Sequence, residues 1–155
     1  MANGIVATTV ILVRHGDRDN LTVPNPDRDL HLNRAGKERA KTLAQVLGEV
    51  DIKAIYVSSA VRTVETAAPL AEKLDNMRTT PINEASDIKH DIMTNHAGEA
   101  VLVVGHSNSV PELVSQLSGE TMPPINDKKF DHMFVVTVLD SAKANVVKLK
   151  YGKPN

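Results

Sequence analysis

Two histidines in this chain each follow a short apolar run, and an arginine precedes the first of them. Arg14-His15 comes directly after the run at 10–13, and His106 follows the run at 101–104 after a single glycine. Unbroken apolar runs of this length are typical of strands buried on both faces of a parallel sheet, which places ligands at the carboxyl ends of its strands. We therefore expect both imidazoles at one edge of a sheet.

A second arginine is expected at the same edge. The apolar segment 52–57 ends in two serines and leads into a predicted helix with Arg62 in its first turn. Free N–H groups and the helix dipole favour an anion there, and guanidinium groups pair with phosphate oxygens. Two arginines and two histidines together suit a phosphoryl dianion. Spacing alone leaves two alternatives open. Arg62 could be a solvated helix residue, and His106 could be a core histidine bonded to backbone.

Four segments, in the expected order along the chain, resemble motifs of the histidine phosphatase superfamily, also called the phosphoglycerate mutase-like family. Its signature is the Arg-His-Gly tripeptide, found here at 14–16. Residues 32–40 are similar to the family pattern that opens the first helix. Residues 58–67 are similar to its second arginine motif, and residues 104–108 to its second histidine motif. The resemblance covers nearly the whole chain and implies phosphoryl transfer.

The resemblance implies a role for each motif residue, and the chemistry of the side chains agrees. His15 would be the nucleophile, forming a phosphohistidine that water later hydrolyses. Arg14, Arg62 and His106 would surround the equatorial oxygens of the transferred group and act by charge and position. The other histidines show no recognised zinc spacing, so we expect a metal-independent reaction with no cofactor.

Hydrolysis of a phosphomonoester also needs an acid that protonates the leaving alkoxide. Glu84 is the candidate, because family members place their proton donor in a similar asparagine-glutamate context after a strand. Asp87 is the second choice, and an exposed loop carboxylate without a role is the alternative to both. Because imidazole leaves more easily than an alkoxide, a glutamate here favours oxygen esters over phosphohistidine proteins as substrates.

The chain departs from the family pattern at several positions. Asp17-Arg18 stands where relatives often have glutamate followed by serine or threonine. Family members often carry an asparagine a few residues further along the chain. Asn20 is the candidate for that residue here, and we expect it to bind substrate. Ser107 and Asn108 replace glycines. We expect Ser107 to donate to the phosphate or to cap the following helix.

The composition narrows the function classes. The chain has 155 residues, which we assign to a single domain at 1–155. Eighteen basic and nineteen acidic residues with 3% aromatic residues argue against a nucleic-acid surface. There is no cysteine, which excludes disulfides and thiolate chemistry. No apolar run approaches the roughly 18 residues of a membrane span, so we expect no membrane partner and either a cytoplasmic location, the default, or an exported mature domain.

Alternating strand and helix patterns predict a three-layer α/β/α sandwich with a mostly parallel central sheet. Asn33 is the predicted cap of the first helix, and a long polar loop is predicted at 17–31. Strands are predicted near 10–13, 52–57, 79–82, 101–104, 133–139 and 145–151, the last at an edge, and helices near 34–47, 59–74, 87–97 and 108–117. The second helix is expected to bury Val64, Ala67, Ala68, Ala71 and Leu74 and to kink at Pro69.

Hydrolysis of a small phosphorylated metabolite or a phosphoprotein is the favoured function. The alternatives within enzymes are a phosphohistidine-protein phosphatase and a phosphoglycerate mutase-type phosphotransferase. Only 15 residues separate Glu84 from Ala100, where larger mutases carry segments that cover the site, so an open site favours hydrolysis. A noncatalytic phosphate-binding regulatory module is the alternative from another class, and the intact set of catalytic residue types argues against it.

Overall fold

Strands and helices alternate along the chain, as the pattern predicts. The structure is a computed structural model that describes residues 4–19 and 29–155. Within those two ranges, no helix is both long and apolar enough to cross a membrane. The elements in chain order are β1 (Ala7–Arg14), α1 (Arg34–Val46), β2 (Ile52–Val57), α2 (Val61–Lys73), β3 (Thr80–Pro81), α3 (Ala85–Asn95), β4 (Ala100–Gly105), α4 (Ser109–Ser118), β5 (His132–Leu139) and β6 (Ala144–Lys150).

In the described part of the chain, the six strands form a sheet in the order β3-β2-β4-β1-β5-β6. β3, β2, β4 and β1 are parallel, whereas β5 and β6 pair antiparallel at the other side. The prediction of a mostly parallel sheet is confirmed for the strands that precede the motifs, and β6 lies at an edge as predicted. Because β2, β4 and β1 are adjacent and parallel, their carboxyl ends meet at one edge of the sheet.

Helices cover both faces of the sheet, which confirms the three-layer arrangement. Val10 and Leu12 of β1 belong to the core under α3 and α4. Ile11 and Val13 belong to the core under α1 and α2. All four side chains are buried. Burial on both faces explains why the strand is apolar at every position rather than at every second one.

The buried face of α2 differs from the prediction. Val64 is 40% exposed and Ala68 is also exposed, whereas Thr63 and Thr66 are fully buried. Each threonine hydroxyl donates to a backbone carbonyl of the preceding turn, so burial leaves neither hydroxyl unsatisfied. The prediction ranked positions by apolarity and therefore misplaced the face. The helix continues through Pro69 to Lys73.

Candidate active site

The carboxyl ends of β1 and β4 bring His15 and His106 together. Arg14 is paired with Gly105 in the ladder between the two strands, and the His15 N–H donates to the Gly105 carbonyl at 2.9 Å. The centroids of the two imidazole rings lie 5.4 Å apart, and the ring planes are inclined by 62°. The two histidines therefore face a common space at the edge of the sheet.

His15 is held in one tautomer. Its Nδ1–H donates to the Gly16 carbonyl at 2.8 Å, because a carbonyl can only accept, and this leaves the lone pair on Nε2. The residue is 2% exposed. Burial lowers the pKa of His15 to about 3, and the positive charges of Arg14 and Arg62 act in the same direction. The ring is therefore neutral, with Nε2 available as a nucleophile.

The turn after His15 needs glycines because two backbone segments nearly touch. A Cβ on Gly16 would lie 2.9 Å from the Gly36 carbonyl oxygen, and a Cβ on Gly36 would lie 2.1 Å from the backbone carbonyl oxygen of Asp17. Gly16 is not among the described glycines with positive φ, so close approach and not conformation requires it. Its N–H donates to Thr66 Oγ1 at 2.8 Å. The turn is thereby fixed with its carbonyl towards His15.

Arg14 is buried and held by the loop before β5. Its Nη1 donates to the carbonyls of Asn126, Asp127 and Lys129 at 3.2, 3.0 and 2.8 Å. The guanidinium lies 4.1 Å from the centroid of the Phe130 ring, a cation–π contact. Burial lowers the pKa of Arg14 to about 10. The group is therefore fixed in place and still cationic at neutral pH.

His106 lies between a serine and an arginine. Its Nε2 is 2.8 Å from Ser58 Oγ, and its Nδ1 is 3.5 Å from Arg62 Nη2. Because a guanidinium can only donate, the consistent assignment puts the proton on Nε2, which donates to Ser58. Burial lowers the pKa of His106 to about 4, and Arg62 and Arg14 add to the shift. Both imidazoles of the cluster are therefore neutral.

The amino terminus of α2, where an anion was expected, holds a carboxylate of the chain itself. Both carboxylate oxygens of Asp29 accept from the Val61 N–H, at 3.1 and 3.0 Å. Asp29 Oδ1 also lies 3.7 Å from Arg62 Nη1. Asp29 thus caps the helix and orients Arg62 at the same time.

Three arginines at the site have a buried Nε–H without an acceptor. Among the described residues these are Arg14, Arg18 and Arg62. Their charges repel one another: Arg18 and Arg62 lower the pKa of Arg14, and burial followed by Arg18 lowers that of Arg62. Buried donors and mutual repulsion both favour binding of an anion. In residues 4–19 and 29–155, no three His, Asp or Glu side chains are grouped in a way that could hold a metal ion.

The two predicted proton donors lie at the start of α3, on an exposed surface. Glu84 is exposed at the N-cap position of α3, and Asp87 is exposed in the first turn. The preceding residue, Asn83, accepts through Oδ1 from the Ser59 N–H at 2.8 Å. No described hydrogen bond joins either carboxylate to the histidines. The structure therefore ties the segment before Glu84 to the end of β2 without fixing the carboxylate itself.

Two further predicted substrate-binding residues have different outcomes. Ser107 does not cap α4, since the N-cap position is Asn108 and Ser109 Oγ accepts from the His106 N–H at 2.9 Å. Ser107 is half-buried, and its carbonyl accepts from the Ile125 N–H at 2.9 Å. Its predicted contact with phosphate stays a prediction. Asn20 lies outside the described residues.

Sequence reasoning assigned no role to several residues that hold the cluster. Ser58 belongs to the second arginine motif, and its position at the end of β2 was the available signal. Arg18 was noted only as a departure from the family pattern, yet it is half-buried, and its charge acts on Arg14 and Arg62. Phe130 packs against His15, with ring centroids 5.8 Å apart, and no local pattern indicates this contact.

Comparison with known proteins agrees with this geometry. The model of the histidine phosphatase superfamily (branch 1) matches residues 10–89, a range that contains Arg14, His15 and Arg62. The chain belongs to this superfamily.

Individual relatives share with this chain either a segment of similar sequence or the overall fold. The chain is similar to the Schizosaccharomyces pombe protein named "Probable phosphatase C1687.21", with 42% identity over 65 residues. The match covers 41% of this chain and spans about a third, 31%, of the relative's length. Among solved structures, the protein histidine phosphatase SixA complexed with tungstate has a TM-score of 0.74 at 21% identity, covering 92% of this chain and 96% of that one. A mycobacterial glucosyl-3-phosphoglycerate phosphatase has a TM-score of 0.69 at 14% identity, covering 94% and 100%.

Proposed function

We propose that this protein is a metal-independent phosphatase that hydrolyses phosphomonoesters through a phosphohistidine on His15. The observation that carries the proposal is the pairing of a neutral His15, whose Nδ1–H is bound to the Gly16 carbonyl, with a cluster of arginines that have free donors. A neutral ring with its lone pair on Nε2 is the form that attacks phosphorus. The arginines are the groups that stabilise the charge on the phosphoryl oxygens.

The first step transfers the phosphoryl group to the protein. His15 Nε2 forms a bond to phosphorus while the bond from phosphorus to the ester oxygen breaks. Arg14 and Arg62 donate to the equatorial oxygens, and His106, whose Nδ1 accepts from Arg62, holds that arginine beside them. The carboxyl group of Glu84 gives its proton to the departing alkoxide. The products of this step are an alcohol, phosphohistidine and a Glu84 carboxylate.

The second step regenerates the protein. Water attacks phosphorus, Glu84 takes a proton from that water, and the bond to Nε2 breaks. Inorganic phosphate leaves, and His15 returns to its neutral form with the proton still on Nδ1. The hydrogen bond to Gly16 therefore serves both steps, because it keeps Nε2 free of a proton when the phosphoryl group departs.

Trapping the intermediate tests the proposal. A phosphomonoester labelled in the phosphoryl group is mixed with the protein, and the reaction is quenched within one turnover. The protein should then carry a label whose bond is stable in alkali and labile in acid. The His15→Ala variant should carry no label and should lose about 10⁴-fold in kcat, as expected when a nucleophile is removed. Turnover of a chromogenic phosphate ester should persist in EDTA. Parent-like activity in His15→Ala would disprove the assignment.

A phosphohistidine protein is the second candidate substrate. The exposure of Glu84, with no described hydrogen bond to the cluster, favours it, because an imidazole leaving group needs less assistance from an acid. The solved SixA structure is described as that of a protein histidine phosphatase, and its fold is shared. Parallel assays of phosphorylated metabolites, a phosphoserine peptide and a phosphohistidine peptide separate the two substrate classes. Efficient interconversion of 2- and 3-phosphoglycerate would instead indicate the mutase.

A further inference from the structure

The segment after β6 folds back against the turn that carries His15. Arg39 of α1 is buried beneath this segment and donates to the carbonyls of Tyr151 and Lys153 at 2.9 and 2.7 Å. The same guanidinium donates through Nε to Asp17 Oδ1 at 2.7 Å. Asp17 is 7% exposed and lies two residues beyond His15. Arg39 and Asp17 thus form a buried ion pair that joins the segment to the turn.

Asn155 is the residue in which these contacts converge. Its Nδ2 donates to Asp17 Oδ2 at 2.8 Å. Its Oδ1 accepts from the Phe130 N–H at 2.7 Å and from Arg39 Nη2 at 3.3 Å. The Lys129 ammonium donates to the Asn155 backbone oxygen. Although the residue as a whole is exposed, its amide uses both donor and acceptor on partly buried partners.

Two of the three partners of the Asn155 amide, Asp17 and Phe130, each hold one half of the phosphoryl site. Asp17 follows Gly16, whose carbonyl fixes the tautomer of His15. Phe130 follows the carbonyls that bind Arg14, and its ring contacts both Arg14 and His15. No direct hydrogen bond between Asp17 and residues 126–130 is described. The Asn155 amide therefore adds a second hydrogen-bonded link between the nucleophile's turn and the arginine's loop, besides the bonds from Arg14 to the loop carbonyls.

We propose that Asn155 is a positioning residue for the phosphoryl site, and that through Asp17 and Phe130 it holds the imidazole of His15 in place relative to the guanidinium of Arg14. The inference rests on the proposed function of that site. No direct contact of Asn155 with His15, Arg14 or Arg62 is described, so its loss should affect rate and anion affinity without changing which leaving groups are accepted. A side chain that contacted the leaving group would instead change the ranking of substrates.

The isosteric variant Asn155→Asp gives the sharpest single change. It keeps the acceptor for the Phe130 N–H but places a carboxylate against Asp17, where the amide donated. We expect kcat on p-nitrophenyl phosphate to fall about 30-fold and the Kd for inorganic phosphate to rise about fivefold, because charged groups that lose a partner cost more than neutral ones. Asn155→Ala, which removes the coupling without adding a charge, should lose about tenfold in kcat.

The exchange variant Asp17→Asn with Asn155→Asp tests the coupling directly. It keeps the net charge and reverses the hydrogen bond, since the new amide at position 17 can donate to the new carboxylate at position 155. The new carboxylate can still accept from Arg39 and from the Phe130 N–H. We expect kcat and phosphate affinity to return to within about threefold of the parent. In a double-mutant cycle, this recovery appears as a strong interaction between positions 17 and 155.

Lys153→Ala is the matched control. It lies in the same segment, its side chain makes no described hydrogen bond, and the carbonyl that Arg39 uses is retained. Its kcat should stay within about twofold of the parent. Thermal midpoints are measured for all variants. An exchange variant that regains the parent's midpoint but not its kcat would show a merely structural role and overturn the proposal, as would parent-like kcat and phosphate affinity in Asn155→Asp.

Failure of the proposed function is recognised separately. If the parent itself turned over no phosphomonoester, the proposed function would fail, and calorimetric binding of inorganic phosphate would still report on the coupling. Weaker phosphate binding in Asn155→Asp with recovery in the exchange variant would then support the positioning role. Unchanged phosphate binding across the series would reject it.

Discussion

The two sides of the proposed site, a phosphoryl side at His15 and Arg14 and a leaving-group side at Glu84, are built differently. His15 and Arg14 are 2% and 3% exposed, and each is bonded to backbone carbonyls. Glu84 is exposed. Its segment is anchored through the preceding residue, Asn83, whose Oδ1 accepts from the Ser59 N–H. One side is thus fixed by burial and several hydrogen bonds, whereas the other is anchored only through a neighbour.

This difference matches what each side must recognise. A phosphoryl group is the same in every substrate, so donors that are already in place stabilise its charge without reorganisation. The leaving group differs between substrates, and an acid on an exposed helix end can serve alcohols of different shape. We therefore expect substitutions on the phosphoryl side to affect all substrates alike and substitutions on the other side to affect them selectively.

Arg14→Lys should have the largest effect of the substitutions that compare the two sides. Lysine keeps the charge but lacks the planar group that binds three carbonyls and stacks on Phe130. We expect kcat/KM to fall about 10²- to 10³-fold, to a similar extent for every phosphomonoester tested. Steady-state kinetics on p-nitrophenyl phosphate and an alkyl phosphate measure it.

The matched control for this change is Arg34→Lys, an exposed arginine at the start of α1. It should retain the parent's kinetics. A loss in Arg14→Lys confined to one of the two substrates would contradict the comparison, because it would make the buried side selective.

Glu84→Gln should have a smaller effect that depends on the leaving group. An alkoxide needs a proton to depart and p-nitrophenolate does not, so we expect kcat/KM to fall about 50-fold for the alkyl phosphate and less than threefold for p-nitrophenyl phosphate. Asp87→Asn, one turn further along α3, should change neither value. If Asp87→Asn showed the leaving-group-dependent loss and Glu84→Gln did not, Asp87 and not Glu84 would be the acid.

The pH dependence of stability should show the smallest effect. Burial lowers the pKa of His15 to about 3, whereas an imidazole in an unfolded chain titrates near 6.5. Between about pH 6.5 and 4 the unfolded chain binds more protons than the folded protein, so the free energy of unfolding should decrease as pH falls through that window.

Urea unfolding at several pH values tests this. His15→Gln should flatten the decrease, by less than about 1.4 kcal/mol per pH unit, the limit for one proton. His90→Gln, which changes an exposed histidine on α3, is the control and should keep the parent's slope. An equal slope in His15→Gln and the parent would mean that His15 is not buried as a neutral ring.

Local patterns predicted the elements well where one physical signal dominated. The apolar runs gave β1, β2 and β4, and Asn33 caps α1 as predicted, accepting from the Gly36 N–H at 2.9 Å. The buried face predicted for α2 was right at Ala67 and Ala71 and wrong at Val64 and Ala68, because threonines with satisfied hydroxyls can be buried as readily as alanines. The cap of α4 was misassigned by one residue, since neighbouring polar side chains all suit that position.

The sequence by itself determined which side chains meet. Parallel strands present the residues at their carboxyl ends at one edge, so order and spacing, with the family motifs, predicted that His15, His106 and Arg62 meet. Only the tertiary structure decided how they are held: the carbonyls that bind Arg14 lie 112 to 115 positions away, and Asn155 lies 138 positions from Asp17. Contacts of that kind arise from packing between loops, whose backbone groups look alike in any sequence. No local pattern of residue types encodes them.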